Sequence, residues 1–358
     1  MVTARHILFV AAATLVATRA TGLHLGYRSR AMKNGQQKNM KPVQLETKKL
    51  IIDTDAGADD AVAILMALGQ TDVDVIALTC VNGNTALDNV VVNVLKTLKT
   101  AGRLDIPVFA GATASLVTTP PTDNYFGQDG FGDFEYPDPP DPDTLLQDER
   151  AADALVRLAK ETPGELTLLA LGPLTNVALA IRLDSGFLSN LKNIVVMGGS
   201  VEGVGNALPG IEFNFYIDPV AAHIVFNSSD SAQPIYMLPL ETVLQRNYVT
   251  MDWRKNVLGV VNSPEVQLLN QAERYQLDAD TPNWTCPDSL TAAITLNSSL
   301  IQTSTTHYVY VAEYGTFTGG AVLVDYYDIL PTPANVIIVT NVDVDGFKSM
   351  LLKNLGPQ

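Results

Sequence analysis

Cysteine and histidine are scarce in this chain: its 358 residues hold 2 cysteines and 4 histidines. Cys80 and Cys286 cannot staple a disulfide scaffold, so a hydrophobic core must supply the stability. The histidines have no strong claim to acid–base chemistry. His6 and His24 lie near the N-terminus, His223 sits in an apolar helical run, and His307 stands at the start of a late strand pattern. Positive charge is short as well. Against 38 Asp and Glu there are 23 Lys and Arg, a net charge of -15. Such an acidic surface disfavours nucleic acid and anionic membranes as partners, but leaves small nucleosides open. Past the N-terminus no apolar run reaches the roughly 18 residues of a membrane span. No internal repeat is visible.

What is present suits a globular protein with a sizeable core, since 47% of the residues are hydrophobic. Arg5 and His6 precede the apolar run "ILFVAAATLVA", and Thr18-Arg19-Ala20 offers small residues for cleavage after Ala20. Residues 1–20 therefore read as a signal peptide, and the protein as secreted. Residues 21–48 are basic, polar and aperiodic, a flexible linker, which leaves 49–358 as a single domain. Three N-x-S/T sequons, at Asn227, Asn283 and Asn297, are consistent with a glycoprotein.

From Lys49 onward short apolar runs alternate with helical patterns. "KLIIDTD", "VDVIALTCV", "IPVFAG", "LTLLALG", "LKNIVVMGG" and "PIYMLPL" read as strands, with helices between them. That alternation predicts an α/β fold, an open, mostly parallel, Rossmann-like sheet with helices on both faces. Later, "EVQLLNQAERYQL" and "DSLTAAITL" read as helices, and "HYVYVAEY", "AVLVDYY" and "ANVIIVTNV" as strands. Residues 118–143 break the pattern with proline, glycine and aspartate. Their aromatics, Tyr125, Phe126, Phe131, Phe134 and Tyr136, favour an active-site lid over a plain linker.

The stretch "LIIDTDAGADDAVAILMAL" sets Asp53, Asp55, Asp59 and Asp60 within eight residues, between a buried-strand pattern and an apolar helix. In open parallel sheets ligands bind beyond the carboxyl ends of strands. A helix N-terminus stabilises a carboxylate by only about 0.3–1 kcal/mol. That is too little for four converging charges, so a cation is expected. With oxygen ligands alone, Ca²⁺ or Mg²⁺ fits, and carboxylates with carbonyls and waters suit Ca²⁺.

"DTDAGADDAVAI" resembles the signature of the inosine–uridine preferring nucleoside hydrolases, in which proline usually stands where this chain has Ala56. Further blocks resemble that family in order: "VNGN" ending at Asn84, "LALGPLTNVALA" from Leu169, "VVMGGS" from Val195, "GNALPGIEFNFYIDPVAAHIVF" from Gly205 and "PDSLTAAI" from Pro287. The resemblance covers about residues 48–350. It implies one Ca²⁺ and hydrolysis of the N-glycosidic bond of ribonucleosides, often in a homodimer or homotetramer. Carried over residue by residue, it makes Asp55 a calcium ligand and the general base. Asp60, Asp288 and the Leu171 carbonyl become further ligands. Asp59 and Asn214 would hold ribose hydroxyls, and Asn206 and Glu212 the 5′-hydroxyl side. Asn84 would position water and ribose, Met197 would pack near the sugar, and Asp53 would orient the metal ligands. Apart from the resemblance, Glu212, Asn214 and Asp218 could equally cap the following helix, and for Asp218, followed by Pro219, the cap is the better reading.

The match departs from the family at the leaving base. Many members carry a histidine acid where this chain has Pro287, preceded by Cys286. Stacking between Trp284 and the lid rings Tyr125 and Phe126 is the expected substitute, which favours purine nucleosides such as inosine. Cys286 is an alternative acid. A secreted nucleoside binder without activity is the competing reading. A haloacid-dehalogenase-type phosphatase or a metal-dependent glycosyltransferase fits less well, because "EFNFYIDP" belongs to neither pattern.

Overall fold

The computed structural model describes residues 46–122 and 124–357. The expected signal peptide 1–20 and nearly all of the expected linker 21–48 lie outside the described residues. Of that linker's end, Thr47 is buried and its hydroxyl donates to the Thr295 carbonyl at 2.8 Å, so packing begins slightly before Lys49.

Among the described residues nine strands form one sheet. In chain order they are β1 (Lys49–Thr54), β2 (Asp74–Cys80), β3 (Val108–Ala110), β4 (Leu146–Gln147), β5 (Leu166–Ala170), β6 (Asn193–Met197), β7 (Ile235–Leu238), β8 (Ile301–His307) and β9 (Val336–Val342). Their order across the sheet is β8-β9-β7-β6-β5-β1-β2-β3-β4. Every neighbouring pair is parallel except β8 and β9. This is the open α/β sheet that the alternating pattern predicts. The chain builds outward from β1 through β4, then returns to place β5 on the other side of β1. The carboxyl ends of β1 and β5 therefore flank a switch point, where crossover connections diverge and leave a crevice.

Side-chain alternation divides the core into two layers. Leu50, Ile52, Leu78, Leu169, Val195 and Leu238 face one way, under the helices Ala58–Leu68, Leu87–Thr100, Pro287–Leu296 and Val344–Leu355. Ile51, Ala77, Leu168, Ala170, Val196 and Met237 face the other, under Ala151–Glu161, Thr175–Leu183 and Pro219–Ser228. Strands buried on both faces explain why these segments read as continuous apolar runs.

The later chain is less regular than its pattern. "HYVYVAEY" contributes only Val309–Val311, paired with Val322–Val324 in a separate hairpin. The polar segment "IQTSTTH" forms the antiparallel edge strand β8, so His307 ends a strand instead of starting one. The expected long helix "EVQLLNQAERYQL" breaks at Glu273 into Pro264–Ala272 and Arg274–Asp278. Glu273 is fully buried there and accepts from Arg254 Nε at 2.8 Å and from the Trp284 indole at 2.6 Å, while the Arg254 guanidinium lies 5.5 Å from the Trp284 ring.

Arg254→Met should cost about 3–5 kcal/mol, because it strands a buried carboxylate without its cation. Arg254→Met combined with Glu273→Leu should recover most of that loss. Denaturant unfolding of the two variants beside the parent measures both, and a milder loss in the single variant than in the double would refute the pairing.

Candidate active site

β1 carries Asp53 and Asp55 to the crevice, where they are 0% and 1% exposed. The chain then turns through Ala56 and Gly57 into the helix Ala58–Leu68, whose first turn holds Asp59 and Asp60. Asp60 is fixed on both oxygens. The Thr54 hydroxyl donates to Oδ1, and Oδ2 accepts from the Gly57 N–H at 2.8 Å and the Asn84 amide at 3.4 Å. The Asn84 backbone N–H donates to Asp55 Oδ2 at 2.7 Å. Gly83 and Gly172 press against Asp55, since a Cβ at either would lie 2.1 or 2.8 Å from a carboxylate oxygen. Asp53 sits one layer back, where its Oδ1 accepts from Thr79 and Asn176.

Asp288 arrives from the far side, in the first turn of Pro287–Leu296. Carboxylate oxygens of Asp59, Asp60 and Asp288 all lie within 4.8 Å of one another. This tight trio includes Asp59, expected as a sugar ligand, while Asp55 is a charged neighbour to all three. Burial pushes Asp55, Asp59, Asp60 and Asp288 above the usual carboxylate range. Like charge adds to the push: Asp60 on Asp55 and Asp59, and Asp59 on Asp288. The buried Asp59 Oδ1 has no hydrogen-bond partner.

Three of these carboxylates, Asp55, Asp59 and Asp288, open on a cavity of about 270 Å³. Asp55, Asp59, Asn84, Phe126, Leu171, Met197, Asn206, Glu212, Asn214 and Asp288 line it, together with Tyr125 and Pro287. Among the described residues no lysine, arginine or histidine lines it. An all-oxygen donor set, crowded carboxylates and an orphaned buried oxygen fit a hard divalent cation.

On the opposite wall, Glu212 caps the helix Phe213–Ile217 and also faces the cavity. Its oxygens accept from the backbone N–H groups of Asn214, Gly199 and Phe215 at 2.9, 2.9 and 3.2 Å. The helix it caps is this short one and not Pro219–Ser228, and the same side chain lines the cavity. Asn214 donates to the Leu171 carbonyl at 2.7 Å, and Asn206 Oδ1 accepts from Phe213 N–H at 2.9 Å. Asp218 caps Pro219–Ser228 through the Ala221 N–H, as its proline neighbour suggests.

Trp284 is the correction. It does not line this cavity. Its indole is 1% exposed, tied to Glu273 and stacked by Arg254, and it borders a neighbouring cavity of about 180 Å³. Burial also pushes the Cys286 thiol far up, away from acid duty near neutral pH. Tyr125 and Phe126 do reach the cavity, but edge to face at 81°, not as parallel plates.

Leu240, Leu244, Phe213, Thr285 and Gln276 line the cavity without having been singled out from the sequence. Gln276 is 6% exposed, and its buried Oε1 has no partner. Only Leu240 carried a signal, its position just beyond an apolar strand.

A family model described as inosine-uridine preferring nucleoside hydrolase matches residues 50–349. The chain belongs to this family of enzymes. It is 37% identical over 282 residues to a probable uridine nucleosidase 2 of Oryza sativa subsp. japonica, covering 78% of each chain. Over 311 residues it is 34% identical to a pyrimidine-specific ribonucleoside hydrolase RihA of Salmonella arizonae, covering 86% of this chain and 97% of that one. A solved inosine-guanosine nucleoside hydrolase superposes with a TM-score of 0.80 at 32% identity, covering 86% of this chain and 98% of that one. This hydrolase thus cleaves the N-glycosidic bond of nucleosides on an α/β scaffold shared with its relatives.

Burial pushes the Glu212 carboxyl up to about 7 against the pull of its three N–H donors, from an ordinary 4.5. The folded hydrolase therefore holds this proton more tightly than the unfolded chain does. The resulting stability is complete below the unfolded value and is lost as pH rises through the folded one. Glu212→Gln does not titrate, so its melting temperature relative to the parent should climb as pH rises between those two values and then level off. Melting curves across this range check it, and a constant difference would show that Glu212 does not titrate this way.

Proposed function

We propose that this hydrolase releases the base from ribonucleosides with one Ca²⁺ held by Asp55, Asp60, Asp288 and the Leu171 carbonyl. The single observation that carries the reading is the buried carboxylate cluster at the cavity floor, with no positive side chain on the walls. Asp59 offers a carboxylate oxygen to the same cluster. When bound, such a cation supplies Lewis-acid activation of water.

The chain's own groups do the rest. Asp55 takes the water's proton, its carboxylate oriented by the Asn84 N–H. Asp59, Asn206, Glu212 and Asn214 offer acceptors and donors to the ribose hydroxyls, and Met197 packs the sugar's apolar side. Carboxylates in a dry cavity stabilise the positive charge that grows on the sugar as the bond to the base breaks. No histidine stands at Pro287, so base departure relies on the environment that Tyr125, Phe126, Phe213 and Gln276 give the ring. Those rings support purine nucleosides such as inosine as substrates. With Trp284 off the wall, the argument against the smaller pyrimidine ring falls away, and uridine is expected to be cleaved too. The apolar leader at residues 1–20 supports export of the enzyme.

Asp60→Ala should lose bound calcium and nearly all base release, read by elemental analysis and by reducing-sugar formation. A variant as calcium-loaded and active as the parent would sink the assignment. A ribose-selecting wall should also reject deoxyinosine, with kcat/KM at least about 100-fold below that for inosine, because missing hydroxyls leave buried polar groups unpaired. Equal values for the two would contradict the placement of the sugar.

A further inference from the structure

One buried amide behind the cavity holds two loops at once. Asn93 lies on the helix Leu87–Thr100 and is 1% exposed. Its Nδ2 donates to the Ala56 carbonyl at 3.1 Å and to the Asp129 carbonyl at 2.8 Å. Ala56 is the hinge between Asp55 and the Asp59–Asp60 pair, and its φ of 28° is one that an alanine rarely adopts. Such a conformation costs about 1–3 kcal/mol and persists only where the surroundings over-determine it. Here the Ala56 N–H is taken by the Thr54 hydroxyl at 3.1 Å, and its carbonyl by Asn93.

Asp129 belongs to the segment that lays Phe126 over the aspartate turn. Phe126 is 4% exposed, and its ring would lie 2.9 Å from a Cβ placed on Gly57. Other side chains on the same stripe of the helix also grip this cover, at spacings of three and four residues. Asn89 reaches the Gln128 carbonyl, Lys96 lies 3.8 Å from Asp129 Oδ2 and 5.6 Å from the Phe131 ring, and Thr100 meets the Tyr136 hydroxyl. Asn89 also donates to the Thr85 hydroxyl at 2.9 Å, and none of the three is hydrogen-bonded to the Ala56 turn. Asn93 alone among them also touches the turn that presents the aspartates.

We propose that Asn93 is a positioning residue of this hydrolase, setting the aspartate turn and the aromatic cover in register so that Phe126 closes on the cavity Asp55 lines. The inference rests on the reading of that cavity as the nucleoside site. Its physical basis is donor count. A side chain without both N–H groups leaves two buried carbonyls unpaired, and each loop can then relax separately.

The experiment compares Asn93→Asp, which keeps the shape and loses both donors, with Asn89→Ala, which removes a grip on the cover and on Thr85 but leaves the Ala56 carbonyl paired with Asn93. Asn93→Ala serves as the second variant should the aspartate version fail to fold. Hydrogen exchange is followed in peptides spanning 53–60 and 124–134, with β5 as the control for global opening, and kcat and KM are measured separately with inosine. In the Asn93 variants both segments should exchange about 10-fold faster while β5 is unchanged, and kcat should fall about 30-fold. In Asn89→Ala only the cover should exchange faster, and KM should rise with kcat within about 3-fold. Unchanged exchange of the aspartate turn in the Asn93 variants overturns the proposal, and so does a kcat within about 3-fold of the parent. A parent protein that releases no base from inosine or uridine overturns the calcium-assisted reading of the cavity instead, while the exchange data still decide whether Asn93 joins the two loops.

Discussion

Four buried carboxylates forced together in one crevice are the constraint around which this enzyme is built. Asp55, Asp59, Asp60 and Asp288 are all buried, and none has a positive side chain on the cavity wall. Helix N-termini behind Asp59, Asp60 and Asp288 offset only a small part of the repulsion. The remainder must be met by protons or by a cation, and a nucleoside hydrolase that activates water has use for the cation. The fold supplies the place. β1 and β5 are paired neighbours whose following connections diverge at the switch point, and their carboxyl ends bring Asp55 and Leu171 side by side to one cavity.

Backbone contacts that allow no slack keep the charges in place. Glycines 83 and 172 let two loops press directly on Asp55, and N–H groups from Gly57 and Asn84 grip the carboxylates. Behind them Asp53 is tied to Thr79 on β2 and to Asn176 on Thr175–Leu183, which joins the first strand to its neighbours beneath the site. The wall proposed to hold the sugar follows the same design. Glu212 gathers three N–H groups from two loops, so the residue that faces the cavity also locks the backbone that shapes it.

The side proposed to face the leaving base is built differently. Its rings come from the segment around Tyr125 and Phe126 and from Phe213, each on its own loop or short helix. Trp284 lies beneath, in a buried network with Arg254 and Glu273 that stiffens the helices at the cavity's edge. The indole thus supports the wall without forming it. Sequence proximity to Asp288 brought Trp284 to the right neighbourhood, but the two-residue pairing of Asn283 and Trp284 with Val249 and Thr250 turns the ring inward.

Local pattern alone determined the alternation of strands and helices, the two-sided burial of the sheet and the aspartate cluster at a strand's end. Each of these is written in near neighbours, as period-two alternation, helical spacing, or charges set between apolar runs. The order of the strands, and hence the crevice between β1 and β5, depends on crossovers longer than any local pattern. The edge strand β8 was hidden because it is mostly polar, with threonine and serine at its centre and no apolar run to mark it. Gln276 and Leu244 reach the cavity only because the chain folds back over it, and Glu273 breaks a helix only because Arg254 waits on another element. Which residues carry charge into the site was set by neighbours in sequence. Which of them meet, and which rings line the cavity, was decided by partners on other elements, whose contacts exist only once the chain has folded.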